Sequence, residues 1–290
     1  MNLHISFIVP CFNCVDTIDE SVMSIINGNI EQGDEIILVD DASTDDTLIK
    51  LKQYQTNYPF VKVVTHNINK GTAAAARNTG IDQSNNGLIF CLDSDNILHP
   101  HSVAKLKNFL LTNDLDVAAF GAIEYFSDNA MTVKDTWNLY EKLDLISALN
   151  NPMKTPCGSG NFLYAKSIWK KVGRYNESVG GAFDSELFGL KLLAEGAKFW
   201  TLPGQAYLHR NGYESTFIKE YNKRNPSLLF LSALVEYLHL LNDEDVEYIF
   251  GKGRTNWMDN IEQRPLRKKI DQKKSLIKRI GHKLRRSLKN

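Results

Sequence analysis

The 290-residue sequence predicts an α/β protein whose mixed, mostly parallel β-sheet is flanked by helices. Over the first hundred residues, short apolar segments alternate with segments of helical periodicity, as in consecutive βαβ units. Residues 88–92 are apolar at every position, which is typical of a central parallel strand covered on both faces. Acidic residues follow two of the predicted strands. Because open α/β sheets bind ligands beyond the carboxyl ends of their strands, the sequence also predicts where a site would lie.

The elements of the first hundred residues are predicted from apolar runs and helix-start signals. Strands are expected at residues 5–9, 35–39, 61–64 and 88–92, and helices at residues 16–27, from a cap at Ser43-Thr44-Asp45 to about Tyr54, and at residues 72–81. This order of elements favours parallel pairing of the strands.

The pattern is looser after Pro100. The elements expected there are a helix at 101–111, a strand at 116–123, a glycine-containing loop leading into a strand within 156–166, a helix at about 184–195 ending at Gly196, a short strand at 206–208 and a buried helix at 228–241. The last helix, at ~14 residues, is too short to cross a membrane.

Composition and charge point to a cytoplasmic protein with an uneven charge distribution. Hydrophobic residues make up 43% and charged residues 23% of the chain, as in ordinary soluble proteins. The N-terminus lacks the features of a signal peptide, and no apolar run is long enough to span a membrane. From Arg264 onward, 12 Lys/Arg face one acidic residue, so this tail carries +11 and the preceding residues carry −11.

The basic tail, residues 264–290, has two interpretations. Its apolar residues recur at near-helical spacing among Lys and Arg, which predicts a basic amphipathic helix lying on an anionic membrane surface, at the inner face of the cell membrane. The alternative is a disordered, solvated end. Nucleic acid is not an expected partner, because the acidic body would oppose its binding.

The four cysteines do not predict a disulfide framework in a chain of this length. Cys11-x-x-Cys14 has the spacing of a redox or zinc motif, but no second Cys pair completes a zinc site. We therefore do not expect redox or zinc function from this pair.

Asp93-Ser94-Asp95 follows the apolar strand at 88–92. Side chains alternate along an extended strand, so Asp93 and Asp95 can face one pocket while Ser94 faces elsewhere. Two carboxylates at this edge suit a hard divalent cation that carries phosphate oxygens. The alternative is a chance Asp-x-Asp that ends a strand and caps a helix.

Asp40 and Asp41 also follow a predicted strand. One of the two must face the crevice, where its carboxylate can accept a hydrogen bond from a nucleobase N–H or a ribose hydroxyl. Alternatively, both support the start of the next helix, where negative charge is favourable. Arg77 lies on a predicted helix near the same edge, and its alternative is a solvated arginine on a surface helix.

Four motifs, taken together and in order, resemble glycosyltransferase family 2, which has the GT-A fold of nucleotide-diphospho-sugar transferases. They are Ile8-Val9-Pro10-Cys11-Phe12-Asn13, Val39-Asp40-Asp41-Ala42-Ser43-Thr44-Asp45, Asn69-Lys70-Gly71 with Ala76-Arg77-Asn78-Thr79-Gly80, and Leu92-Asp93-Ser94-Asp95. The resemblance implies a nucleotide-sugar-binding half at 1–100 and an acceptor half at 101–216 of one domain. A helical C-terminal extension at 217–262 and the tail at 263–290 would follow.

The resemblance also implies roles for individual residues. The implied nucleotide-binding residues are Pro10, Phe12, Asn13, Asp40, Asp41, Arg77, Asp93 and Ser94. Among these, Pro10 and Phe12 would line the base pocket, and Asp41 rather than Asp40 would bond a uracil-type base. Asp95 would bind Mn²⁺ or Mg²⁺, with Asp93 and His209 as candidate further ligands.

For catalysis, the resemblance implies that Asp184 is the general base of an inverting transfer. The donor would be a UDP-sugar, the acceptor a glycan or lipid-linked glycan, and the sugar a hexose or N-acetylhexosamine. The family usually has Glu before this Asp, and Phe183 stands there instead, so Glu186 is an alternative base. Asp184 could also be a simple helix N-cap. Two other functions stay open, namely a catalytically silent nucleotide-sugar-binding protein and a metal-dependent phosphotransferase.

Overall fold

The computed structural model describes residues 3–127, 132–178 and 183–211, together with Tyr237, His239 and residues 242–244. The buried helix expected at 228–241, the extension at 217–262 and the basic tail lie wholly or mainly outside the described residues. Among the residues described, no helix is long and apolar enough to cross a membrane.

The first half of the chain alternates strands and helices as predicted. Its elements are β1 (Ile5–Cys11), α1 (Ile18–Ile26), β2 (Glu35–Asp40), α2 (Thr47–Asn57), β3 (Val61–Thr65), α3 (Ala73–Asp82), β4 (Leu88–Cys91), β5 (Ile97–Leu98) and α4 (Ser102–Thr112). The helix expected from a cap at Ser43-Thr44-Asp45 begins at Thr47, with Asp46 as its N-cap. Asp45 Oδ1 accepts the Thr47 N–H at 3.0 Å and so supports the start of α2, whereas Ser43 and Thr44 do not cap it.

The second half adds elements that the sequence pattern only partly indicated. They are β6 (Val117–Phe126), β7 (Val133–Asn138), β8 (Lys142–Leu143), α5 (Leu145–Asn150), two 3₁₀ turns at Pro152–Lys154 and Cys157–Ser159, β9 (Phe162–Ala165), α6 (Lys166–Val172), α7 (Asp184–Ala194) and β10 (Phe199–Arg210). The strand expected at 206–208 is therefore the end of a 12-residue strand.

The ten strands of the described residues belong to one mixed sheet, in the order β3-β2-β1-β4-β9-β6-β10-β5, with β7 beside β6 and β8 beside β10. Parallel pairing joins β1 to β2 and to β4, β2 to β3, and β6 to β10. Antiparallel β9 links these two parallel groups through β4 and β6. The predicted α/β class with a mixed sheet is confirmed.

Both faces of the sheet are covered, and successive residues of β1 show the alternation. Ile8 lies in the core cluster that contains residues of α3 and α7, while Phe7 and Val9 lie in the cluster that contains residues of α1 and α4. Gly80 brings α3 close to the sheet, because a Cβ there would lie 2.5 Å from Ile8 Cγ2. This covering on both faces explains the near-continuous apolar sequence of β1 and β4.

Candidate active site

The loops after β1 and β2 meet at the carboxyl edge of the sheet. Asn13 has a left-handed backbone (φ 48°), and its Oδ1 accepts the Thr44 N–H at 2.8 Å. Its own N–H donates to Ser43 Oγ at 3.0 Å. The Asn13 side chain therefore ties the two loops together. Its neighbour Phe12 is 47% exposed at the same edge, whereas Pro10 is buried within β1.

The two adjacent aspartates after β2 have different partners. Both carboxylate oxygens of Asp40 lie 3.3 Å from the Ser43 N–H, so Asp40 supports the loop that precedes α2. Asp41 Oδ1 instead lies 2.6 Å from His66 Nδ1 and 3.0 Å from the Lys70 N–H. Asp41 thus faces the segment between β3 and α3.

Arg77 is buried, so the alternative of a solvated surface arginine is wrong. Its Nη1 donates to Asp184 Oδ2 at 2.6 Å and its Nη2 to Asp93 Oδ1 at 2.5 Å. Burial opposes the charge of Arg77, but Asp184 and then Asp93 outweigh it and keep the pKa of Arg77 well above its usual value. The guanidinium therefore joins residues that are 91 positions apart.

The run of small residues at 73–76 makes this burial feasible. Thr72 begins α3 by accepting the Ala75 N–H at its hydroxyl. Three of the four alanines that follow are buried, so the helix packs closely against its surroundings and carries Arg77 inward. The alanine run is visible in the sequence and indicates close packing, but the sequence does not predict the ion-pair partners of Arg77.

Asp93 and Asp95 lie close enough to interact electrostatically. Burial first, and the negative charge of Asp93 second, raise the pKa of Asp95 to about 6. Asp93 keeps part of its side chain exposed (28%), and its N–H donates to Asn161 Oδ1 at 3.2 Å. Ser94 lies against the thiol of Cys14, away from this pair. Two carboxylates that repel each other in a partly buried site are a donor set that fits a hard divalent cation.

His209 and Arg210 end β10 beside this pair. The His209 ring packs edge-on against Tyr125 at 5.2 Å, and burial lowers the pKa of His209 against the opposing effect of Asp93. Arg210 Nε donates to the Asp95 carbonyl at 3.2 Å, and its guanidinium also pairs with Glu20. Arg210 was not singled out from the sequence, although it lies two residues after the strand predicted at 206–208. Across the part of the chain described, no three His, Cys, Asp or Glu side chains converge as a metal site.

Asp184 and Glu186 begin α7 and are both buried, in contrasting surroundings. Asp184 is not the N-cap, which is Phe183 without a side-chain capping bond, so the capping alternative is wrong. Glu186 Oε1 has no hydrogen-bond partner in the described structure, and burial raises the pKa of Glu186 to about 8. Glu186 is consequently protonated near neutral pH, whereas Asp184 is paired with a cation.

The loop at 157–161 contacts both the start of α7 and the backbone of Asp93. Gly160 has φ +69°, and a Cβ there would lie 2.5 Å from Ser185 Oγ. Asn161, which follows it, is buried and accepts the Asp93 N–H. No role was predicted for Asn161; the two glycines that precede it in the sequence, Gly158 and Gly160, were the available signal.

Comparison with known proteins agrees with this arrangement. Residues 6–173, more than half of the chain, match the sequence model described as "Glycosyl transferase family 2". A poly(ribitol-phosphate) beta-glucosyltransferase of Bacillus spizizenii is 34% identical over 116 residues, covering 40% of this chain and 18% of that protein. A chondroitin synthase of Escherichia coli is 31% identical over 192 residues, covering 65% of this chain and 26% of that protein.

A third relative, the poly(ribitol-phosphate) beta-N-acetylglucosaminyltransferase TarP of Staphylococcus aureus, is 33% identical over 116 residues, covering 39% of this chain and 35% of that protein. The matched part of the chain thus spans well under half the length of these three relatives. The crystal structure of S. aureus TarS 1–349 in complex with UDP-GlcNAc superposes with a TM-score of 0.64 at 19% identity, covering 85% of this chain and 70% of that one.

At that identity the structural likeness shows the fold, which is the GT-A fold expected from the motifs. The family match rests on the same segments that carry the four motifs, and it confirms the resemblance. The chain belongs to glycosyl transferase family 2.

Proposed function

We propose that this chain transfers a sugar from a UDP-sugar to a hydroxyl group of a glycan or lipid-linked glycan, with inversion at the anomeric carbon. The observation that carries the proposal is the buried bridge from Asp93 through Arg77 to Asp184. It joins the edge expected to hold the nucleotide to the residue expected to take the proton. The relatives named for glucosyl and N-acetylglucosaminyl transfer support a hexose or N-acetylhexosamine donor.

In this proposal the uracil base lies between the loops after β1 and β2. Phe12 offers an exposed ring to the base, and Asp41 accepts its N–H. Asn13 and Asp40, whose side chains are engaged within the loops, contribute by holding those loops in place. The structure of a relative with UDP supports this choice of nucleotide at the level of the fold.

Asp95 would hold a divalent cation, Mn²⁺ or Mg²⁺, with Asp93 and His209 as further candidate ligands. When bound, such a cation supplies positive charge that stabilises the departing diphosphate. The protein offers only a few ligands here, so diphosphate oxygens and water would complete the coordination. Arg210, held against the Asp95 carbonyl and Glu20, fixes the backbone that presents this carboxylate.

Asp184 would act as the general base. Arg77 binds its Oδ2, which orients the carboxyl group and leaves Oδ1 as the proposed proton acceptor. The acceptor hydroxyl oxygen attacks the anomeric carbon on the side opposite the diphosphate, and its proton passes to Asp184. Glu186 is a weaker candidate, because its Oε1 has no hydrogen-bond partner among the described residues that would orient it.

A thermal-stability screen of nucleotide sugars in the presence of Mn²⁺ identifies the donor. We expect a UDP-sugar to raise the melting temperature more than its ADP and GDP counterparts, because bound ligand stabilises the folded state. Equal stabilisation by all of them, or by none, would argue against a uracil-selective site.

Turnover of that donor then separates an enzyme from a silent binder. Asp184→Asn should lower turnover by a factor on the order of 10² or more, while UDP affinity barely changes. Glu186→Gln should keep the turnover. The reverse pattern would transfer the base role to Glu186, and no loss in either variant would favour a protein that only binds the nucleotide sugar.

A further inference from the structure

We propose that His66 is a positioning residue for recognition of the nucleobase, and that it acts through Asp41 in a hydrogen-bonded chain Thr79–His66–Asp41. The inference deepens the proposed function and rests on it, because it assumes that the base binds Asp41. Neither His66 nor Thr79 was given a role in the sequence analysis.

The chain is defined by two short contacts of one imidazole ring. His66 Nδ1 lies 2.6 Å from Asp41 Oδ1, and His66 Nε2 lies 2.9 Å from Thr79 Oγ1. The side chains of His66 and Asp41 are 9% and 6% exposed, so water competes little for these bonds. Such shielded bonds to a charged group are the stronger ones.

The chemistry of the partners assigns the direction of each bond. An ionised carboxylate only accepts, so His66 Nδ1 carries the proton and donates to Asp41. In the neutral ring Nε2 is then an acceptor, and the Thr79 hydroxyl donates to it. The Asp41 carboxylate thereby fixes the tautomer, and the Thr79 hydroxyl on α3 holds the other side of the ring in place.

The segment between β3 and α3, which contains His66, also holds the side chain and backbone of Asp41 through Asn69 and Lys70. The Lys70 N–H lies 3.0 and 3.1 Å from the two carboxylate oxygens, and Asn69 Nδ2 donates to the Asp41 carbonyl at 3.1 Å. The next residue, Ala42, has a left-handed backbone (φ 58°), which is unfavourable for alanine and therefore needs such support. His66 engages only Oδ1, while the Lys70 N–H is shared between both oxygens, so Oδ2 is the oxygen with capacity for the N–H of a base.

A purely structural role of His66 would make a different prediction. If His66 only held the segment between β3 and α3, its loss would weaken every ligand of the site alike. If it orients Asp41, its loss affects only ligands whose base donates an N–H to Asp41, as uracil is proposed to do. Inorganic pyrophosphate, which has the phosphates of UDP without the base, separates the two roles.

The experiment measures UDP, ADP and pyrophosphate binding by calorimetry in the presence of Mn²⁺, on the full chain. We expect His66→Leu to weaken UDP binding roughly tenfold to a hundredfold, the range for losing a hydrogen bond to a charged group. Pyrophosphate affinity should stay at the wild-type value, so the preference for UDP over ADP falls. His66→Asn, which keeps an N–H near the Nδ1 position, should restore part of the UDP affinity.

Two further variants of Thr79 and an NMR spectrum test the hydrogen bonds that link Thr79, His66 and Asp41. Thr79→Val should weaken UDP binding in the same selective way, and Thr79→Ser should restore it. His99→Leu is the matched control. His99 also contacts a carboxylate (Glu124, 2.7 Å), but its side chain is 43% exposed and takes no part in the hydrogen bonds between Thr79, His66 and Asp41. Ring-nitrogen NMR of His66 should show Nδ1 protonated and Nε2 unprotonated, with this pattern weakened in Thr79→Val.

The outcomes are distinguishable. Wild-type protein that does not bind UDP with Mn²⁺ would overturn the proposed function and this inference with it. Wild-type binding together with equal losses of UDP and pyrophosphate in His66→Leu and His66→Asn, or an unchanged preference for UDP over ADP, would overturn the inference alone. If His66→Leu does not fold, His66→Asn and Thr79→Val decide the question.

Discussion

The carboxyl groups of Asp184 and Glu186, both on the first turn of α7, differ in their charged partners. Asp184 is paired with a buried guanidinium, whereas Glu186 lies buried next to the loop at Gly158 with no ion-pair partner among the described residues. The sequence shows two acids two residues apart and gives no means of telling them apart. The two acids differ because Arg77 pairs with Asp184. Arg77 lies on α3, 107 residues before Asp184 in the sequence.

The raised pKa of Glu186 predicts how stability changes with pH. The pKa is about 8 in the folded chain against an ordinary value of 4.5, so the folded state holds a proton that the unfolded state releases between these pH values. The wild-type free energy of unfolding should therefore fall with rising pH in this window, relative to Glu186→Gln, by on the order of 1 kcal/mol per pH unit. Chemical denaturation at pH 5, 6.5 and 8 measures the difference.

Glu195→Gln serves as the control for that series. Glu195 is an exposed carboxylate at the other end of the same helix, so its substitution should leave the pH dependence as in the wild type. A Glu186→Gln variant whose stability parallels the wild type from pH 5 to pH 8 would contradict the buried, protonated state of Glu186.

Arg77 supports a second prediction at this scale. Arg77→Met keeps most of the volume but leaves Asp184 buried without a cation, which should cost roughly 3–5 kcal/mol of unfolding free energy. Arg174→Met removes an exposed ion pair with Asp82 and should cost no more than about 1 kcal/mol. Urea denaturation compares the two variants, and equal costs would show that the Arg77 bridge is not the buried pair described here.

At the scale of elements, the turn at Gly160 fixes how α7 meets the sheet. Gly160 has φ +69° and leaves no room for a Cβ beside Ser185 Oγ, whereas Gly196 has φ +76° with nothing within 4 Å of an added Cβ. Gly196→Ala should thus cost about 1 kcal/mol from backbone strain alone. Gly160→Ala should cost more and should also lower donor turnover, because it displaces the start of α7 that carries Asp184. Equal stability and turnover in the two variants would contradict this.

The strands and helices of the first hundred residues were predictable because each one carries its own periodic pattern. The start of α2 was not, because Ser43 and Thr44 are used by Asn13 of another loop rather than by the helix. The length of β10 was also missed. The strand bulges between Leu202 and Ala206 and pairs with β6 on both sides of the bulge. Because proline and glycine at residues 203–204 and several polar residues interrupt its apolar pattern, the sequence did not indicate one continuous strand.

Across the whole molecule, the order of motifs identified the edge of the sheet that holds the candidate site. Asp93, Asp95 and Asp41 could be placed there because parallel strands end on the same side. Asn161 and Arg210 could not, since their positions depend on pairing between distant elements. His66 follows the predicted strand at 61–64 and so lies at the same edge, but its contact with Asp41 could not be predicted. Long-range contacts of this kind leave no local pattern in a single sequence.

The uneven charge of the chain gives a prediction for its location. If residues 264–290 dock on anionic lipid, the full chain should co-sediment with phosphatidylserine vesicles and lose this binding as the salt concentration rises. A truncation after Gln263 should remain in the supernatant. Equal sedimentation of the full and truncated chains would rule out membrane docking through the tail.

The central claim is that the edge carrying Asp93 and Asp95 binds a nucleoside diphosphate together with a divalent cation. Calorimetric titration of UDP with Mn²⁺ and with EDTA tests it most directly, on the wild type, Asp95→Ala and Asp184→Asn. We expect tight binding only with Mn²⁺, loss of this metal dependence in Asp95→Ala, and near wild-type affinity in Asp184→Asn. Equal UDP affinity of the wild type in Mn²⁺ and in EDTA would contradict the claim.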